Sequence, residues 1–249
     1  MFPYFFKRIF LATQHFNCMP RLARAVMTGC PHHLTQRGVD RQQVFFRKSD
    51  YSVYLDLIVK NADRFGCTLL GYCLMPNHVH WIVTPQHLDS LAQTFGEAHC
   101  RYASYANVQL GRSGHFWQNR FFSCMLDRSH FFTALRYVER NPVRSGIIQS
   151  SVDYPWSSAG AHAGKVEPAW LDLKSWSSGF TADQWDLYVK ADTFGEAEAQ
   201  VRRNTYTGRP AGSEQFIQEA ERLLGRKLAS RSGGRPSKSR VAAAKGGAE

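Results

Sequence analysis

Two histidines separated by one residue are potential metal ligands. They lie in Pro76-Asn77-His78-Val79-His80-Trp81-Ile82-Val83, where an apolar run after a Pro-Asn turn predicts a β-strand. Side chains at positions i and i+2 of a strand project from one face, so His78 and His80 should lie side by side. Two neighbouring imidazoles can chelate a divalent cation. Ordinary surface or hydrogen-bonded histidines are the alternative interpretation of so short a motif.

A tyrosine and an asparagine one helical turn apart could complete such a site. The segment Tyr137-Val138-Glu139-Arg140-Asn141-Pro142 ends a predicted helix, because proline cannot continue it. Residues i and i+4 share a helix face, so Tyr137 and Asn141 point the same way. A phenol can act as a nucleophile, and an amide oxygen can ligate Mg²⁺ or Mn²⁺. The alternatives are a core aromatic for Tyr137 and a helix-end cap for Asn141.

Seven predicted elements position these side chains. Periodicity and turn residues predict strands at about 24–36, 67–75, 78–84 and 114–126. They also predict helices at about 50–65, with Asp50 as N-cap, at 88–110, and from 127 or 129 to just before Pro142. The first six elements predict an α+β fold with a ferredoxin-like βαββαβ core, an antiparallel sheet with helices on one face. The third helix, which carries Tyr137, is an addition to that core.

The charge balance predicts a polyanionic partner. The formal net charge is +11 and the pI is about 9.6, and phosphate backbones attract Lys and Arg through counterion release. Basic residues near the first turn and the nucleophile region suit phosphate contacts: Arg37, Arg41, Arg120, Arg136, Arg140 and Arg144. Trp117 could stack on unpaired bases or pack in the core. His115 could contact DNA, assist proton transfer or serve a structural role.

The combination of these motifs resembles the HUH-type single-tyrosine transposases, and among them the REP-associated tyrosine transposases. The stretches that carry the resemblance are residues 31–38, 75–80, 114–121, 135–144 and 153–158, with Thr207-Gly208-Arg209-Pro210 further on. The resemblance implies that His78, His80 and Asn141 hold a divalent metal, Mg²⁺ or Mn²⁺. It also implies that Tyr137 attacks a phosphodiester and forms a 5′-phosphotyrosine with a free 3′-OH. The implied substrate is hairpin-bearing single-stranded DNA, and the implied assembly is a monomer or homodimer without a small-molecule cofactor.

Two other functions remain open from the sequence. One is a domesticated protein that binds hairpin DNA without turnover. The other is a metal-dependent hydrolase that uses water, in which Tyr137 is structural.

The chain divides into four predicted parts. Residues 1–18 are expected to be a non-functional extension, with Met19 as a more ordinary start. Residues 19–160 form the predicted transposase domain, 161–228 a mostly helical extension with helices at about 195–204 and 213–224, and 229–249 a disordered basic tail. The six cysteines form no C-x-x-C pair and are expected to be reduced. With no secretory signal or membrane span predicted, the expected location is cytoplasmic and nucleoid-associated.

Overall fold

The computed structural model describes residues 24–191 and 195–229. The strands are β1 His32–Arg37, β2 Cys67–Met75, β3 His78–Pro85 and β4 Phe122–Met125. The longer helices are α1 Lys48–Phe65, α2 Ser90–Gln109, α3 Arg128–Glu139, α7 Ala182–Lys190, α8 Glu196–Thr207 and α9 Glu214–Leu224. The single-turn α-helices of the described residues are α4 Asn141–Arg144, α5 Ala159–His162 and α6 Lys174–Ser177, and 3₁₀ turns lie at Val39–Arg41 and Ser151–Asp153. The predicted extension at 1–18 and all of the predicted tail beyond Ala229 lie outside the described residues.

The sheet has the strand order β2-β3-β1-β4, and every neighbouring pair is antiparallel. Because β1 lies between β3 and β4, the two βαβ halves interleave, and the predicted ferredoxin-like core is confirmed. Helices α1 and α2 cover one face of the sheet, where Tyr54 and Phe95 are buried and pack around Trp81. The added helix α3 covers the opposite face together with α8.

The first residues of two strands and one helix differ from the predicted ones. Strand β1 begins at His32 rather than near residue 24, and β4 begins at Phe122 rather than near residue 114. Helix α1 begins at Lys48, so Asp50 is not its N-cap. Asp50 instead lies inside the first turn, where its Oδ2 accepts hydrogen bonds from the backbone N–H groups of Phe46 and Arg47, both at 2.8 Å.

Helix α3 approaches the sheet closely and begins at a defined cap. The Asp127 carboxylate accepts a hydrogen bond from the backbone N–H of His130 at 2.8 Å, as expected of an N-cap. In β2, a Cβ at Gly71 would lie 2.2 Å from Leu135 Cδ1, so a larger residue there would force the Leu135 side chain of α3 to shift. These two features determine where the Tyr137 side chain meets the sheet.

In the described parts of the chain, no helix is both long and apolar enough to cross a membrane. The five cysteines in these parts, Cys30, Cys67, Cys73, Cys100 and Cys124, are all free.

Candidate active site

His78 and His80 lie on the face of β3 that α3 covers. Their ring centroids are 4.9 Å apart, while Val79 and Trp81 between and beyond them belong to the core on the opposite face. Both histidines are at least nine-tenths buried. The strand alternation therefore presents two imidazoles together in the layer between the sheet and α3.

Tyr137 on α3 meets these imidazoles. Its ring packs edge-on against His80, with centroids 5.7 Å apart, and against His33 at 5.8 Å. The guanidinium carbon of Arg144 lies 4.6 Å from the Tyr137 ring centroid, within cation–π distance. The structure thus brings the predicted nucleophile and the predicted histidine pair into one site, although they come from different elements.

The imidazoles of this site are neutral near pH 7. Burial, and next the positive charges of Arg37 and Arg144, lower the pKa of His78 to about 3. Burial also holds the pKa of His80 well below its usual value, with His78 as the next contributor. A neutral imidazole has one ring nitrogen with a free lone pair, which is the form that binds metal.

Asn141 follows α3 and is buried at its C-terminal end. Its Nδ2 donates hydrogen bonds to the carbonyls of Tyr137 at 2.9 Å and Val138 at 3.2 Å, so the amide caps the helix. Its Oδ1 accepts a hydrogen bond from Arg144 at 3.3 Å. The amide oxygen therefore faces the guanidinium that also covers Tyr137.

The candidate ligands, two imidazoles and one amide oxygen, limit the kind of metal site that these residues can form. Within residues 24–191 and 195–229, no cluster of three or more His, Cys, Asp or Glu side chains could hold a metal ion. Two neutral imidazoles and an amide oxygen fit a divalent cation only if water or substrate oxygens complete its coordination. Such an open site suits a cation that contacts a phosphate.

Several of the basic residues predicted to contact DNA surround this site. Arg37 pairs with His78 across the β1–β3 ladder, and its Nε is buried without a hydrogen-bond partner in the described structure. Arg144 is exposed beside Tyr137, Arg41 is exposed at the end of the first 3₁₀ turn, and Arg120 is exposed on the loop before β4. Buried polar groups are normally paired, so the unpaired Arg37 Nε–H is the feature among these that most strongly indicates a bound anion.

The remaining predicted DNA contacts differ in exposure. Arg136 is buried, forms an ion pair with Glu198 and donates to the Tyr188 and Ala191 carbonyls. We therefore exclude Arg136 from the DNA contacts, because its guanidinium is used inside the protein. Arg140 is half-buried and also donates to the Ala191 carbonyl.

The two aromatic side chains predicted near DNA lie on the loop before β4. His115 is exposed. Trp117 is half-buried, and its Nε1 donates to the His99 carbonyl at 2.9 Å. The Trp117 ring also packs against His99 and Tyr102, so most of its contacts are those of a core side chain.

Two residues of the site were not predicted. His33 on β1 stacks on His80 with ring centroids 5.2 Å apart, and Thr205 on α8 contacts the other side of His33. A signal for His33 did exist: a ferredoxin-like sheet places β1 beside β3, where alternation puts His33 on the His80 face. No local pattern identifies Thr205, which lies more than a hundred residues further along the chain.

A basic groove of about 750 Å³ adjoins the site and was also only partly predicted. Its basic lining residues are Arg24, Arg120, Arg209, Arg226 and Lys227, and no acidic residue of the described chain lines it. Burial, and next the charge of Arg120, lower the pKa of Arg24 to about 10, so an anion between these two guanidiniums would be favoured. The groove also reaches Thr205, the residue that contacts His33.

Comparison with known proteins points to one family. Residues 26–141 match the family model described as IS200-like transposase. A Haemophilus influenzae protein named as a REP-associated tyrosine transposase is 23% identical over 110 residues, which cover 40% of this chain and 62% of that protein. The chain thus spans less than two thirds of this relative's length.

Two solved structures are more distantly similar. One is a REP-associated tyrosine transposase bound to a REP hairpin, with 18% identity, a TM-score of 0.48, and coverage of 63% of this chain and 96% of that chain. The other is a transposase-like protein from Deinococcus radiodurans R1, with 21% identity, a TM-score of 0.35, and coverage of 48% of this chain and 96% of that chain.

Proposed function

Because residues 26–141 match the family model described as IS200-like transposase, we propose that this protein cleaves and rejoins hairpin-bearing single-stranded DNA through a phosphotyrosine on Tyr137. The reaction uses Mg²⁺ or Mn²⁺ held by His78, His80 and Asn141. The hairpin in this proposal comes from the resemblance of the motifs to REP-associated tyrosine transposases. A nucleoid location in the cytoplasm follows from the same proposal.

The observation that carries the proposal is the packing of the Tyr137 ring against His80 in a site flanked by two arginines. The Tyr137 and His80 centroids are 5.7 Å apart, and Arg144 lies over the tyrosine ring. Arg37 brings a buried, unpartnered Nε to the His78 end of the site. A core tyrosine in a purely structural role has no need of a guanidinium and two buried imidazoles against its ring.

The residues present fit a divalent cation. His78 and His80 are neutral, and each can offer one nitrogen to a cation. The Asn141 side-chain oxygen faces Arg144, from which it accepts a hydrogen bond. When bound, the cation would neutralise charge that develops on the scissile phosphate. Arg37 and Arg144 hold the phosphate oxygens by charge-assisted hydrogen bonds and orient the phosphorus for in-line attack.

In the cleavage step, Tyr137 Oη forms a bond to phosphorus as the bond from phosphorus to the 3′ oxygen breaks. The phenolic proton leaves to water, and the departing 3′ oxygen takes up a proton. The product is a 5′-phosphotyrosine with a free 3′-OH, and the number of phosphoester bonds is unchanged. A new 3′-OH can therefore attack the phosphotyrosine and restore the phenol without ATP.

The basic groove provides a path for the DNA backbone away from Tyr137. Its basic side chains supply positive charge along the groove, whereas the buried Arg136 guanidinium is paired with Glu198. Binding through such contacts weakens as the salt concentration rises, because released counterions lose their entropic advantage.

A covalent-adduct assay tests this proposal. The protein is incubated with MnCl₂ and a pool of labelled hairpin oligonucleotides with randomised single-stranded flanks, then resolved on a denaturing gel. We expect a labelled adduct with wild type, and none with Tyr137→Phe. Tyr105→Phe is the matched control, because Tyr105 contacts Asp50 on the opposite side of the sheet and should leave the adduct intact.

The other outcomes identify the other functions. Hairpin binding without an adduct would contradict the proposal and indicate a binding protein without turnover. DNA cleavage without an adduct, unaffected by Tyr137→Phe, would indicate a hydrolase that uses water.

A further inference from the structure

A chain of hydrogen bonds links the C-terminal helix α8 to His80. Thr205 Oγ1 donates to the Val201 carbonyl at 2.7 Å and lies 2.7 Å from His33 Nδ1. The other ring nitrogen, His33 Nε2, lies 2.9 Å from His80 Nδ1. His33 and Thr205 are both buried, so water does not compete for these bonds.

The donor and the acceptor of each of these hydrogen bonds follow from the number of protons that the groups carry. A hydroxyl has one proton; with that of Thr205 directed to the Val201 carbonyl, Oγ1 accepts from His33 Nδ1–H. The His33 ring is fully buried and contacts no carboxylate of the described residues, so it is neutral; with its one proton on Nδ1, Nε2 accepts. His80 therefore donates from Nδ1–H, and its lone pair lies on Nε2.

A neighbouring contact agrees with this assignment. Cys124 Sγ lies 3.2 Å from Thr205 Oγ1. Burial raises the pKa of this thiol to about 12, so its S–H is retained and can donate to the second lone pair of Oγ1. The hydroxyl then makes one donated and two accepted bonds, which uses all of its capacity.

His78 is held in the same way by another residue. Its Nδ1 lies 2.6 Å from Asn77 Oδ1, and Asn77 Nδ2 donates to the Arg41 carbonyl at 3.2 Å. The amide oxygen can only accept, so His78 Nδ1 carries the proton and its Nε2 carries the lone pair. Both histidines thus have the same tautomer, by two separate sets of contacts.

We propose that His33 and Thr205 are positioning residues that hold His80 in the Nδ1–H tautomer, with its Nε2 lone pair available to a divalent cation. This role rests on the proposed function, in which His80 is a ligand. Partners that hold the second nitrogen of a ligating histidine fix its tautomer and orientation. Thr205 lies beyond residues 26–141, so the C-terminal extension contributes to the active site as well as to DNA contacts.

Removing the Thr205 hydroxyl should change the tautomers. In Thr205→Val, His33 Nδ1–H loses its acceptor, and moving the proton to Nε2 directs it at His80 Nδ1. His80 then has to move its own proton to Nε2, which removes the lone pair from that nitrogen. Thr205→Ser keeps the hydroxyl and should restore the wild-type tautomer.

Imidazole ¹⁵N spectra of the metal-free protein test the tautomer directly. We expect protonated Nδ1 on both His33 and His80 in wild type and in Thr205→Ser, and a shift toward protonated Nε2 in Thr205→Val. Thr207→Val is the matched control, because this α8 hydroxyl likewise donates to backbone carbonyls of its own helix but contacts no histidine. A wild-type His80 with protonated Nε2 would overturn the proposal, even if a variant fails to fold.

Titration with Mn²⁺ alone is the second measurement. Loss of a residue that orients a ligating histidine through its second nitrogen typically weakens metal binding by about 10- to 100-fold. We expect this decrease in affinity in Thr205→Val but not in Thr205→Ser or Thr207→Val. Equal Mn²⁺ affinity in wild type and Thr205→Val would contradict the positioning role. If wild type binds no Mn²⁺ but shows the expected tautomers, the metal part of the proposed function fails, and the positioning of His80 by Thr205 and His33 stands.

Discussion

Replacing Glu139 by alanine should lower the free energy of unfolding by about 3–5 kcal/mol. Glu139 ends α3, two residues after Tyr137, and its carboxyl group is fully buried. It accepts hydrogen bonds from Ser158 Oγ at 2.6 Å, from His162 Nδ1 at 2.5 Å and from Trp185 Nε1 at 2.8 Å. One side chain thereby joins the nucleophile helix to three positions in the later part of the chain.

The magnitude follows from the donors that the substitution leaves behind. Each buried donor without an acceptor costs about 1–3 kcal/mol, so three donors in one cluster cost about 3 kcal/mol even at the lower limit. Glu139→Gln keeps the shape and one acceptor oxygen but turns an NH₂ group toward a donor. Its expected cost is smaller, about 1–3 kcal/mol.

Urea denaturation followed by tryptophan fluorescence measures these differences. Glu167→Ala is the control, because this exposed loop side chain should change the free energy of unfolding by no more than about 0.5 kcal/mol. If Glu139→Ala stays within about 0.5 kcal/mol of wild type, the cluster does not hold α3 against the later helices.

Three further perturbations give separate tests. Asp127→Ala removes the cap bond to His130 and should lower the unfolding free energy by about 1–2 kcal/mol in urea, and an unchanged value would contradict the cap. Burial lowers the pKa of His32 to about 4 and of His99 to about 3, so the unfolded state binds protons that the folded state excludes. Stability should therefore be lost as the pH falls below about 6.5, by about 2 kcal/mol per histidine at pH 5, and equal urea curves at pH 7.5 and 5 would refute this. Arg37→Gln should weaken single-stranded DNA binding and reduce the salt dependence by about one phosphate contact in fluorescence anisotropy, and an unchanged slope would remove Arg37 from the interface.

The central strands could be predicted from the sequence because their signal is local. Strand β2 has the predicted bounds and β3 is one residue longer, since each is an uninterrupted apolar run and Pro76-Asn77 separates them. Strands β1 and β4 were predicted too long because the residues before them alternate like strands but form no continuous ladder; Trp117, for example, makes only an isolated bridge with Gly38. A strand ends where its neighbour ends, and the sequence alone does not show that position.

The residues of the candidate site likewise fall into those that a local sequence pattern predicts and those that only tertiary packing brings in. The shared face of His78 and His80 and the position of Tyr137 on α3 follow from periodicity within single elements. The contact between His33 and His80 depends on the pairing of β1 with β3. Thr205 depends on the packing of α8, which no spacing in the sequence encodes.

Arg136 shows how a local pattern can mislead. Next to Tyr137 in the sequence, it looked suited to a phosphate contact. Its partner is instead Glu198, 62 residues further along, and the pair is buried. Whether a basic side chain meets solvent or a distant acid is decided by tertiary packing.

The most direct test of the central claim is to identify the residue that carries the DNA. The covalent adduct formed on the hairpin pool in MnCl₂ is digested with nuclease and trypsin and analysed by mass spectrometry. We expect the nucleotide on the peptide from Tyr137 to Arg140, joined through a 5′ phosphate to the tyrosine. A nucleotide on any other residue, or cleaved DNA with no attached peptide, would contradict the assignment of Tyr137 as the nucleophile.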